Sequence, residues 1–131
     1  MIYSSILADF LEMIPFRSKG EDMKRTLKDI QPILKAAKER LQKIYGDRLK
    51  QTILYGSYAR GEADDGSDID LIIVLENVID PVSELEKCSK EIHELGFLYD
   101  TVVSIIPIDA NQYKTRRLPI ILNAKREGVT I

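Results

Sequence analysis

The chain predicts an α+β fold: a small mixed β-sheet with core strand order 1-2-3 and helices packed mainly on one face. Three observations carry that expectation. Apolar runs at 51–55, 69–76 and about 98–106 have strand length, while the segments around them repeat apolar residues every three or four positions. The link between the first two runs is rich in glycine and aspartate, so those strands pair antiparallel through a turn. The second and third runs are joined through a helical segment of about fifteen residues, which is how parallel neighbours are connected.

Composition sets the outer limits. The chain's 131 residues make one domain with enough length to bury a core. A net charge of −2 gives no broad basic surface for a long nucleic acid, although a small polyphosphate held with a metal needs none. The single Cys88 forms no intrachain disulfide, which fits a reducing compartment. No apolar run approaches the ~18 residues that span a bilayer, and residues 1–14 lack the marks of a signal peptide, so the expected location is the cytoplasm, away from membranes.

Taken in order, residues 1–20 read as a helical extension and 21–131 as the main domain. Ile6, Leu7, Phe10, Leu11 and Ile14 have helical spacing, Pro15 closes the stretch, and the stripe must pack on the domain or on another chain. From Glu21 to Tyr45 the pattern is helical, but Pro32 lacks a donor and crowds the preceding turn. Two segments are expected, with Pro32 in the first turn of the second and Gly46-Asp47 as the stop. Asp80-Pro81 opens a helix whose buried stripe is Leu85, Cys88, Ile92 and Leu95, with Gly96 as C-terminal cap. The third strand ends at Pro107. Asn111 to Glu127 is helical, restarted at Pro119 and stopped by Gly128.

The segment from Gly56 to Asp70 carries the chemistry. Gly56-Ser57 follows the first apolar run, and ten residues later Asp68 and Asp70 open the second. Strand side chains alternate, so these two aspartates share a face with Cα atoms about 6.5 Å apart. Two carboxylates so placed repel each other and are costly to bury, a cost that a divalent cation removes. The topology brings the end of strand one and the starts of strands two and three to one sheet edge. Asp100 opens the third run and is the candidate third carboxylate, with Asp109 a weaker rival. Three carboxylates suit magnesium or manganese, with two ions some 3.5–4 Å apart. Ser57 and the backbone N–H groups around Gly56 are suited to phosphate oxygens. Asp64 and Asp65 read as turn solvation, His93 and the Lys114, Arg116, Arg117 cluster as surface, Cys88 as core, and Tyr55, Tyr99 and Tyr113 as core packing without a role.

Gly56-Ser57, ten residues, then Asp68-Ile69-Asp70, with Ala59-Arg60-Gly61 between, resembles the signature of the DNA polymerase β-like nucleotidyltransferase superfamily. Within it the chain is most similar to the minimal nucleotidyltransferases of prokaryotes, over about residues 32–128, and Asn123…Glu127-Gly128-Val129 resembles how those chains end. The resemblance implies the nucleotidyltransferase fold and transfer of a nucleoside monophosphate, usually from ATP, to a hydroxyl with release of pyrophosphate. It implies that Gly56 and Ser57 bind the triphosphate, with Arg60 beside the carboxylates or the triphosphate. Asp68, Asp70 and Asp100 would be the catalytic carboxylates and ligands of two Mg2+ (or Mn2+) ions, Asp100 also serving as base. Minimal members often pair with a HEPN-domain toxin, some adding AMP to a tyrosine of it. A protein partner or a second protomer is therefore expected to complete the acceptor site. A non-catalytic antitoxin of the same fold and an aminoglycoside-type enzyme are the alternatives.

Overall fold

The computed structural model describes residues 24–131, so the helical extension expected at 1–20 lies outside the described residues. Helix α1 (Leu27–Tyr45) is continuous and contains Pro32, contrary to the expected break. Proline removes one helical hydrogen bond there. What outweighs it is burial: Ile30, Ile33, Leu34, Ala37, Leu41 and Tyr45 form one stripe along the whole helix. The helix begins at Thr26, whose N–H donates to the Asp29 carboxylate at 2.8 Å. It stops at Gly46, which takes a positive φ of 55°, and a 3-10 turn (Gly46–Arg48) leads into the sheet.

Strands β1 (Leu49–Tyr55) and β2 (Ile69–Leu75) pair antiparallel, with Tyr55 opposite Asp70 and Ile53 opposite Ile72. Between them lies one turn of helix, α2 (Ser57–Arg60), closed by Gly61 in the left-handed region. Helix α3 (Pro81–Leu98) starts as expected, with the Asp80 side chain accepting from the Val82 N–H at 3.1 Å and proline in the first turn. It returns the chain to β3 (Val103–Asp109), parallel to β2. Helices α4 (Ala110–Thr115) and α5 (Pro119–Glu127) follow, and β4 (Val129–Thr130) adds an unforeseen fourth strand beside β1. The sheet order is β3-β2-β1-β4, which contains the expected 1-2-3 core.

The two faces of β2 sort the core. Ile69, Leu71, Ile73 and Leu75 lie under the long helices α1 and α3, while Ile72 and Val74 meet Ile53, Ile108, Ile121 and Ala124 on the face covered by α5. Each such apolar side chain fully removed from water contributes roughly 2 kcal/mol before its ordering entropy is set against it. Gly128 belongs to this packing: a Cβ there would strike the Ala124 carbonyl and Ile53.

Three boundaries differ from the sequence reading, each for a packing reason. The third strand starts at Val103 rather than near 98, because α3 continues through Gly96 to Leu98. Gly96 is therefore no cap; it is a close-approach residue, where a Cβ would lie 2.6 Å from the Thr101 carbonyl. The strand also runs through Pro107, which β3 tolerates as the edge of the sheet. On α3 the buried stripe takes Glu84 in place of Leu85, which is 36% exposed. Tyr99, expected in the core, is 42% exposed.

Candidate active site

Asp70 sits at the start of β2 on the face that α5 covers farther along. Its neighbours across the ladder are Tyr55 on β1 and Ser104 on β3, so these three side chains share one face at one end of the sheet. Asp68, two residues earlier, is exposed, while Asp70 is half-buried. Burial pushes the Asp70 carboxyl up from its ordinary value, the Asp68 carboxylate adds to that rise, and Arg60 opposes it. The expected acid pair is therefore present and mutually repelling.

The bend before α2 is built around that pair. Gly56 has φ +79°, a conformation that side chains rarely adopt, and any Cβ there would overlap Asp70 Oδ2. Glycine thus brings bare backbone against the carboxylate, with Ser57 half-buried as the first residue of α2. Helix α2 ends when the Glu62 N–H donates to the Ser57 carbonyl at 2.9 Å. Arg60 is exposed, donates from Nε to Glu62 Oε2 at 3.3 Å, and has Nη1 3.7 Å from Glu127 Oε1. Its field reaches both Asp70 and Tyr55, so it stands on the same side of the bend as the acids.

The loop that delivers Asp68 is ordered by Asp64, which does more than solvate it. Asp64 Oδ1 accepts from the Gly66 N–H at 2.9 Å and from the Ser67 hydroxyl at 3.2 Å, and its main chain bridges to Lys24. Beneath the loop, Ala63 and Tyr58 are buried in the core shared with α1 and α3.

Asp100 does not join the pair. It is exposed, with φ +51° in the turn between α3 and β3, ahead of the strand. The Ile69 N–H donates to the Val102 carbonyl at 2.9 Å, and Val103 pairs with Ile69, so the β3 residue beside Asp70 is Ser104. Among the described residues no three histidine, cysteine or acidic side chains converge as a metal-holding group. Asp109, the rival candidate, has structural work instead: it caps α4 through the Asn111 and Gln112 N–H groups and accepts from Val78 N–H at 3.0 Å. Sequence reasoning missed Tyr55 and Ser104 as neighbours of Asp70, and Glu127 as a partner of Arg60. Ser104 had a readable signal, as the lone polar residue inside Val102-Val103-Ser104-Ile105-Ile106.

The donor set fits one hard divalent cation, since the neighbouring carboxylates of Asp68 and Asp70 match oxygen-preferring ions. His93 is exposed, and burial pushes the Cys88 thiol up, so neither acts here. No helix of the described residues is long and apolar enough to cross a membrane.

A model of the nucleotidyltransferase domain matches residues 34–128. MJ0141 of Methanocaldococcus jannaschii, provisionally named a protein adenylyltransferase, is 35% identical over 60% of this chain and 78% of its own length. Protein adenylyltransferase MntA of Thermococcus cleftensis is 38% identical over 40% of this chain and 52% of its own. Among solved structures, a provisionally named nucleotidyltransferase from Sulfolobus solfataricus superposes with TM-score 0.55 at 23% identity, over 79% of this chain and 83% of that one. A toxin–antitoxin complex with AMP-PNP gives TM-score 0.52 at 18% identity, over 72% and 68%. At those identities the two structures speak to the fold.

Proposed function

The chain belongs to the nucleotidyltransferase domain family, and from that premise we propose that it transfers a nucleoside monophosphate from a nucleoside triphosphate to a hydroxyl group of a partner protein. AMP from ATP is the preferred reading, because the curated relatives are named as protein adenylyltransferases. A toxin protein is the preferred acceptor, since one structural neighbour is a toxin–antitoxin complex, and a HEPN-type toxin is the kind that the resemblance of the sequence implies. The observation that carries the reading is the contact of Gly56 with Asp70: it joins a phosphate-suited bend to an acid pair at one sheet edge.

Asp68 and Asp70 would hold magnesium or manganese. Bound there, the cation supplies Lewis-acid charge neutralisation at the phosphates. This chain's own residues do the remaining work. The N–H groups after Gly56 and the Ser57 hydroxyl orient the triphosphate tail. Arg60 adds positive charge to that tail once it leaves Glu62 and Glu127. Held in line, the acceptor hydroxyl gives its proton to solvent water as its oxygen attacks the α-phosphorus, the bond to the bridging oxygen breaks, and pyrophosphate leaves; catalysis is positioning plus electrostatics.

Ser104 in the position of a third carboxylate favours a second reading, in which the same fold serves as a non-catalytic antitoxin. The test is incubation with α-labelled ATP and magnesium, with and without the HEPN-type protein. Label on the partner, lost in Asp68→Ala, supports transfer. Stable binding of the partner without label, unchanged in Asp68→Ala, supports the antitoxin.

A further inference from the structure

We propose that this site holds a single divalent cation, the one that accompanies the nucleotide, and that Ser104 occupies the place from which a second would be held. The inference rests on the nucleotidyltransferase reading and departs from the two-ion expectation of the sequence.

A second ion on the acceptor side has less of the triphosphate to draw on, so it depends on protein oxygens beyond those shared with the first. Every sheet position that adjoins the acid pair is known. On β1 they are Tyr55 and then Gly56; on β3 they are Val102 and Ser104. None is a carboxylate. Among the described residues, Glu127 and Glu62 face Arg60, and Asp64 accepts two hydrogen bonds in its own loop. Two carboxylates balance the charge of one divalent ion, and that ion completes its six oxygens with phosphate and water. A second ion would find one neutral hydroxyl, a weak ligand for a cation that dehydrates reluctantly.

Ser104 lies in register with Asp70 on the neighbouring strand, so a carboxylate built there would stand on the same face roughly 5 Å away. The chain is thus one substitution from a three-carboxylate site, and Ser104→Asp should create the second binding place.

The experiment counts manganese on the full chain by electron paramagnetic resonance, with one equivalent of the non-hydrolysable analogue α,β-methylene-ATP. One Mn2+ per chain without spin coupling is the expected result, and Ser104→Asn should give the same. Ser104→Asp should take up a second ion at least tenfold more tightly than the wild type, with the exchange coupling of two ions about 4 Å apart. Two coupled ions in the wild type, or a single ion in folded Ser104→Asp, overturn the proposal while leaving the nucleotidyltransferase reading intact. Should the aspartate variant fail to fold, the wild-type count decides alone. No retention of nucleotide with manganese by the wild type overturns both.

Discussion

The two ends of β2 treat a buried carboxylate in opposite ways. At its start, Asp70 lies against Gly56 with Asp68 beside it, and burial and like charge push its carboxyl up. Past its far end, Glu84 has a side chain only 4% exposed, yet Arg48 draws its carboxyl down, with help from Lys87 at 3.0 Å. Arg48 also donates to the Glu76 carbonyl at 3.0 Å, and the Tyr45 hydroxyl donates to the Glu84 carbonyl at 2.7 Å, tying α1, β2 and α3 together. One end compensates its charge within the chain and stabilises the fold. The other sets two like charges side by side, offset only in part by Arg60. A fold carries such a strained pair only where other contacts hold it, and the Arg48–Glu84 end is one of those contacts.

The sharpest way to break the comparison is Asp70→Asn. Removal of the charge should lower nucleotidyl transfer at least ~100-fold, the scale for losing a preorganised electrostatic group. The cation-free protein should become more stable, its unfolding midpoint rising by about 2 °C in differential scanning calorimetry. The signs oppose each other because Asp70 ionises at a cost to the fold. Its raised carboxyl contributes stability below the ordinary aspartate value, and that contribution is lost as pH rises through the folded value. The advantage of Asp70→Asn should therefore grow as pH increases from 4 toward neutrality. Next in size comes Gly56→Ala, which combines φ +79° with overlap on Asp70 Oδ2. Transfer should drop about tenfold and stability by about 1–2 kcal/mol, read from urea unfolding and from initial rates on the same preparation.

Arg48→Met tests the other end. It leaves the Glu84 carboxylate buried with Lys87 alone, and Arg48 is itself about a third exposed, so the loss should fall near the lower edge of the buried-pair range, ~2–3 kcal/mol. Rates per folded molecule at low temperature should hold. Here the pH dependence runs the other way: Glu84 is pulled down, so its contribution is present above the ordinary glutamate value and lost as pH falls through the folded one. Acid unfolding of the wild type should show this loss, and Arg48→Met should abolish most of it.

That contrast also explains what the sequence could convey. The acid pair was legible because alternation along a strand is local: Asp68-Ile69-Asp70 fixes its own geometry wherever the strand lies. The glycine-serine bend was legible for the same reason. Arg48 and Glu84 were invisible, since they are 36 residues apart and meet only after α3 packs on α1. The long α1 defeated the proline rule because its buried stripe, a tertiary quantity, outweighs one absent hydrogen bond. β4 was missed because two residues carry no periodic signal; pairing with β1 makes them a strand. The start of the third strand differed from expectation on register. Counting from the apolar run assigned its start to about residue 98, while Gly96 lets α3 continue against the Thr101 carbonyl and moves the pairing to Val103.

Register also supplies the smallest expected effect, and it decides between the two accounts of the third strand. If pairing began at Asp100, neutralising that side chain would cost what neutralising Asp70 costs. In the observed register Asp100 is an exposed turn residue at φ +51°. Asp100→Asn suits the test, because asparagine tolerates the left-handed region as aspartate does and removes only the charge. Transfer rates should stay within about twofold, because exposed charges away from the reacting atoms act weakly through solvent. A fall approaching that of Asp70→Asn would place Asp100 on the reacting atoms and reverse the assignment of Ser104 as the neighbour that matters.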